Sequence, residues 1–183
     1  ARPNDLSLPT WRHQFGLLAA SADRLKPGLG GWIADELSYL EAHWPEDLPA
    51  GIVHADLFPD NAFFEGDTLT GVIDFYFACN DFLIWDIAVC LNAWCFDADG
   101  AFLADNARAL LNGYQDARPV TPTEREALPV LARGAVLRFL LTRLYDWFHT
   151  PDDALARRKD PLELLPLLAF HRSVSDSTVY GLD

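Results

Sequence analysis

The sequence has no methionine, two lysines and three cysteines in 183 residues, and its 14 basic side chains face 27 acidic ones. The resulting formal charge of −13 repels phosphate, which excludes a general nucleic-acid binder. Cys79, Cys90 and Cys95 form no C-x-x-C, and no histidine stands at ligand spacing from them, which excludes a zinc site. Cys79 and Cys90 sit in apolar company, so buried reduced thiols and a cytoplasmic setting are expected. No apolar run approaches about 18 residues, and no basic stretch followed by an apolar one opens the chain. Neither a membrane span nor a secretion signal is therefore expected. Without methionine, the Ala1-Arg2-Pro3 start reads as a removed initiator or as a piece of something longer.

Half of the chain is hydrophobic and 22% is charged, a mixture that excludes disorder, collagen and coiled coil. Residues 1–183 are expected to form one compact domain. Thr10 can cap a first helix that Lys26-Pro27-Gly28 stops. Ile33, Leu37, Leu40 and Trp44 make the apolar stripe of a second helix, with Gly28-Leu29-Gly30-Gly31 as its connector. Gly51-Ile52-Val53 then leads into a polar loop. The runs Ala62–Phe64 and Leu69–Phe75 flank Glu65-Gly66-Asp67 as a small β-hairpin. Helical patterns resume over 83–96 and again after Asp99, with Leu103, Ala107, Leu110, Leu111 and Tyr114 inward. Thr121-Pro122-Thr123-Glu124 is a capping box opening a long helix to about Phe148, and Asp160-Pro161-Leu162-Glu163 opens a last one ending near His171. The fold class is α+β and mostly helical, with one embedded hairpin.

The chemistry concentrates in His54-Ala55-Asp56-Leu57-Phe58-Pro59-Asp60-Asn61, followed by Val72-Ile73-Asp74-Phe75. Every fixed position of H-x-D-L-x-x-x-N matches, the catalytic-loop spacing of protein kinases, and Asp74-Phe75 corresponds to the start of their metal-binding D-F-G. Phosphoryl transfer needs a carboxylate to accept the proton of the attacking hydroxyl, and oxygen ligands for magnesium on the nucleotide phosphates. The turn at Gly66-Asp67 lies midway between Asn61 and Asp74, so folding the hairpin brings both to its open end, beside Asp56. The plain alternative makes Asp56 and Asn61 loop residues that bond their own backbone. Asp74, between Gly-Val-Ile and Phe-Tyr-Phe, is expected to be partly buried and costly unless occupied. His54 is expected to pin the loop by hydrogen bonds, and His13, His43, His149 and His171 to be structural or surface residues.

Three features argue against a protein substrate. Ala55 replaces the arginine of H-R-D, Tyr76 replaces the glycine of D-F-G, and only Phe77–Phe82 separates that motif from the next helix, with no A-P-E. A small-molecule acceptor is expected instead. The loop and the run Gly71-Val72-Ile73-Asp74-Phe75-Tyr76-Phe77-Ala78-Cys79-Asn80-Asp81 resemble the homoserine kinases of the aminoglycoside phosphotransferase and choline kinase superfamily. Arg2-Pro3-Asn4, Lys159-Asp160-Pro161-Leu162-Glu163 and Phe170-His171-Arg172 are similar to the same group. The resemblance implies the C-terminal lobe of a protein-kinase-like fold. It further implies ATP- and Mg2+-dependent phosphorylation of the homoserine hydroxyl, a step of threonine biosynthesis. Carried over by motif, Asp56 is the catalytic base, Asn61 and Asp74 are the magnesium ligands, and Asp86 braces the loop, with a helix N-cap as its alternative role. Tyr76, Asn80 and Asp81 are acceptor-binding candidates because they follow the metal aspartate.

A phosphate cover and a lysine–glutamate pair are missing. Lys26 follows a helix and Lys159 lies in a C-terminal loop. The resemblance implies that a strand-rich N-terminal lobe of the same polypeptide supplies them, so the chain alone is expected to be inactive. Rival readings are a choline, ethanolamine or aminoglycoside kinase, a non-catalytic kinase-like scaffold, and a metal-dependent hydrolase using the same carboxylates.

Overall fold

A computed structural model describes residues 2–151 and 158–182. Helix α1 spans Leu8–Leu25 and buries Trp11, Phe15, Leu18 and Ala22, a stripe of one face. It begins before the expected Thr10 cap: Ser7 takes the cap position, because Pro9 with its fixed φ suits a first helical turn. Helix α2, Leu29–His43, starts from Gly28, whose φ of 82° favours glycine. Ile33, Leu37 and Leu40 are buried as the stripe predicts, while Trp44 falls one residue past the helix end. The Trp44 ring packs edge-on against Trp11, and Gly134 of a later helix admits it: a Cβ there would stand 2.5 Å from the ring.

Strand β1, Ala50–Val53, follows, then the hairpin of β2, Ala62–Glu65, and β3, Thr68–Val72, in the register Ala62↔Val72. Its second strand ends earlier than the expected Phe75. Asp74 adopts φ 63°, which breaks the extended chain, and Phe75–Phe77 form a single 3-10 turn. The segment after it is a fourth strand that the apolar pattern did not announce. Strand β4, Cys79–Phe82, pairs antiparallel with β1, with Val53 opposite Cys79. Its sequence, Cys-Asn-Asp-Phe, carries no apolar alternation, and its partner is distant along the chain.

Helices α3, Trp85–Trp94, and α4, Ala104–Ala117, lead to α5, Pro122–His149, whose capping box is formed as expected by Thr121 and Glu124. Helix α5 packs against α1, α2 and α3 and forms the centre of the core. The last segment divides: Asp160 caps a 3-10 turn, Pro161–Leu164, before α6, Leu165–Ser173. Pro166 at the start of α6 has no N–H to continue an α-helical ladder from the turn.

Two buried polar groups tie these helices together. Glu36 of α2 receives two hydrogen bonds from Arg133 of α5, at 2.6 and 2.8 Å. Asn92 of α3 donates to the Ala88 and Ala132 carbonyls, so its Oδ1 accepts from His171 Nε2 at 2.9 Å, and the Tyr180 hydroxyl donates to His171 Nδ1 at 2.7 Å. Burial holds His171 neutral and pushes its pKa down to about 3, with Arg133 adding to the effect. The unfolded chain binds this proton first, so stability is lost as pH falls below the ordinary histidine value toward 3. Acidification from pH 6.5 to 4 is expected to remove about 3 kcal/mol through this residue. Urea midpoints should show that loss, and the His171→Gln variant should show a correspondingly flatter acid limb.

The three cysteines are free and buried. Burial raises all three thiols, Cys95 to about 11, so they are inert side chains of the core. Among the described residues, no helix is long and apolar enough to cross a membrane.

Candidate active site

Strand β1 delivers the chain to His54 and then to Ala55, a buried non-glycine residue at φ 64°. The first turn of α3 supplies Asp86, whose Oδ2 accepts from the His54 N–H at 2.8 Å and whose Oδ1 accepts from the Ala55 N–H at 2.7 Å. The cap position of α3 falls on Ile84, so the Asp86 carboxylate goes to the loop rather than to its own helix end. Its pKa is raised: burial outweighs the two N–H donors. His54 is buried, and its ring binds at both nitrogens. Nδ1 accepts from the Asp56 N–H at 3.2 Å, and Nε2 donates to the Ile73 carbonyl at 2.9 Å. The histidine thus joins the loop to the exit of the hairpin.

Asp56 and Asn61 meet directly. The Asn61 amide donates to the Asp56 carbonyl at 2.8 Å and to its Oδ2 at 3.3 Å. The Asn61 main-chain carbonyl accepts from the Ile73 N–H at 3.0 Å, so the hairpin closes on Ile73, one residue before the Asp74 that the spacing set against Asn61. Half-buried Asp56 has a raised pKa, mainly from burial; the Asp74 charge adds to it, and Arg138 and His54 oppose it. Asp56, Asn61 and Asp74 line one cleft of about 510 Å³, with Phe58, Phe77 and Arg138 among its other walls.

Asp74 departs from expectation in one respect: it is exposed. The apolar neighbours taken to bury it are themselves open, Ile73 at 47%, Phe75 at 60% and Tyr76 at 72%. The acceptor-binding candidates lie elsewhere. Tyr76 carries the Arg2 guanidinium over its ring, and its carbonyl accepts from Arg2 at 2.7 Å. Asn80 and Asp81 line a separate cavity of about 180 Å³ beside Trp11 and Trp85, where Asp81 accepts from the Asn4 amide at 2.6 Å. The structure does not bring these three residues into the Asp56 cleft.

The cleft contains groups that motif reading did not find: Arg138, Thr142, Arg143 and Asp146, all on α5, and Lys159 at its rim. A signal was present in the sequence. Arg138 interrupts the apolar run from Ala135 to Leu141, where an isolated charge is costly to bury without a purpose. The donor chemistry of the cleft suits a hard cation. The Asn61 amide nitrogen is engaged with Asp56, which leaves its oxygen available, and Asp74 offers an exposed carboxylate. Among the described residues, no group of three or more histidine, cysteine or acidic side chains could hold a metal alone. Two oxygen ligands fit magnesium, which keeps waters and takes substrate phosphates as further ligands.

A loop braced from a neighbouring helix, and a carboxylate beside an asparagine at a hairpin's open end, define a mostly helical α+β fold consistent with a kinase-like lobe. The chain belongs to the phosphotransferase enzyme family, whose model matches residues 1–120. It is 61% identical to a homoserine kinase of Azorhizobium caulinodans, 58% to one of Xanthobacter autotrophicus and 56% to one of Rhizobium meliloti. Each match covers 99% of this chain and 56% of the relative, so the chain spans about half the length of the curated relatives it matches.

Proposed function

We propose that the protein containing this chain transfers the terminal phosphoryl group of ATP to the side-chain hydroxyl of homoserine, in the cytoplasm, as a step of threonine biosynthesis. The observation that carries this reading is the 55–61% identity to proteins named homoserine kinase over 99% of the chain. The geometry of the cleft supports it. Asp56 is the base: it orients the acceptor hydroxyl and takes its proton as the oxygen–phosphorus bond forms and the bond to ADP breaks. Asn61 keeps the Asp56 carboxylate turned toward the hairpin end, and Asn61 and Asp74 hold the magnesium. When bound, that ion neutralises charge on the phosphates.

Residues 1–183 form the C-terminal lobe in this reading, and a strand-rich lobe elsewhere in the polypeptide covers the nucleotide. The exposed Ile52, Ile73, Phe75 and Tyr76 support this arrangement as an apolar surface around the loop. The test is ADP release by the full-length protein with homoserine, choline, ethanolamine and an aminoglycoside as acceptors. Turnover with homoserine is expected to exceed that with the others, and preference for another acceptor would overturn the assignment. The chain alone is expected to give negligible turnover; robust activity from it would remove the need for a second lobe.

A further inference from the structure

We infer that Arg138 is the positioning residue of the catalytic loop: helix α5 delivers a guanidinium that holds Ala55 in its left-handed conformation and so aims Asp56. The inference rests on the phosphotransfer reading above and deepens it. Ala55 is 2% exposed with φ 64°, a conformation that a residue with a Cβ adopts reluctantly. Both of its peptide groups are gripped by charged side chains from different helices. Its N–H goes to Asp86 of α3, and its carbonyl accepts from Arg138 Nη1.

Arg138 itself is 3% exposed, with the Phe139 and Phe77 rings 4.4 and 5.2 Å from the guanidinium carbon. Its Nε is buried without a hydrogen-bond partner, and the Ala55 carbonyl is the hydrogen-bond acceptor found for this guanidinium among the described residues. A buried cation is normally retained for a carboxylate. The less buried cations of the cleft do have carboxylate partners, Arg143 pairing with Glu163 at 3.1 Å and the exposed Lys159 with Asp60 at 3.4 Å. Arg138 instead grips main chain one residue before the base. The loop has alanine where H-R-D loops have arginine, and here a guanidinium reaches that same residue from a distant helix. Without it, Ala55 can relax to negative φ, which rotates the peptide between residues 55 and 56 and turns the Asp56 carboxylate away.

The test uses the full-length protein and the variants R138M, R138K, A55G and A55G/R138M. Misplacement of a catalytic group by about 1 Å costs on the order of 100-fold, so R138M is expected to lower kcat with homoserine by about that factor. Its KM values for ATP and homoserine should stay close to wild type. R138K, which keeps a charged donor, should recover most of the loss. Glycine holds positive φ unaided, so R138M should cost less in the A55G background than in wild type. Hydrogen exchange of the peptide covering 54–58 should rise in R138M, while that of α5 does not. This last readout needs no substrate. Unchanged exchange with unchanged kcat, or equal losses of kcat in both backgrounds, would overturn the role of Arg138. If R138M does not fold, the A55G/R138M comparison with A55G, and the exchange of R138K, carry the same decision. A wild-type protein inactive on homoserine would overturn the acceptor assignment and leave the exchange result standing.

Discussion

Replacing Asp56 by asparagine in the full-length protein is expected to lower homoserine turnover about 10³-fold while sparing ATP binding, since a positioned general base contributes about 10² to 10⁴. Asparagine has nearly the same shape and still offers an oxygen to the Asn61 amide, so the loop keeps its hydrogen bond. What it loses is the ability to take a proton. Burial already raises the Asp56 pKa, meaning that the folded protein holds the ionised form at a cost. A neutral side chain there should leave the melting temperature unchanged or slightly higher. Lost activity with retained stability is a combination that a structural role for Asp56 does not produce. Near-normal turnover by the variant would eliminate Asp56 as the base.

Asp86→Asn is expected to destabilise the protein by about 2–3 kcal/mol, because hydrogen bonds to a charged acceptor contribute about 1.5–3 kcal/mol each. The carboxylate accepts from two N–H groups at once, those of His54 and Ala55. An asparagine can satisfy one and must point its own NH2 at the other. Helix N-caps behave differently, since asparagine and aspartate serve there about equally well. Urea denaturation of Asp86→Asn therefore separates the two roles: a loss of this size marks a brace across elements, and a neutral result marks a cap. Turnover should fall along with stability, because the same N–H groups hold the two residues that lead into Asp56.

The parts of the site that were legible in the sequence are those built from contiguous residues. His54, Asp56 and Asn61 lie within eight positions, and the hairpin, with Ala62 opposite Val72 and Ile73 bonded to Asn61, carries Asp74 one residue further into the same cleft. Local geometry has few solutions there, so spacing sufficed. Tyr76, Asn80 and Asp81 show where the same logic fails. They follow Asp74 closely, yet the left-handed turn at Asp74 leaves Tyr76 exposed against Arg2, and the pairing of β4 with β1 carries Asn80 and Asp81 to another cavity. The apolar neighbours of Asp74 predict a partly buried carboxylate, but Ile73, Phe75 and Tyr76 are exposed and Asp74 is exposed with them.

The order of helices, the hairpin, the capping box and the loop carrying Asp56 follow from the sequence alone, because periodicity, turn residues and motif spacing act over a few residues. The closure of β4 on β1, the Glu36–Arg133 and Asn92–His171 ties, and the approach of Arg138 to Ala55 were decided by tertiary packing. Each joins residues far apart along the chain, and which of many polar side chains meet is determined only when the helices bury their apolar faces against α5.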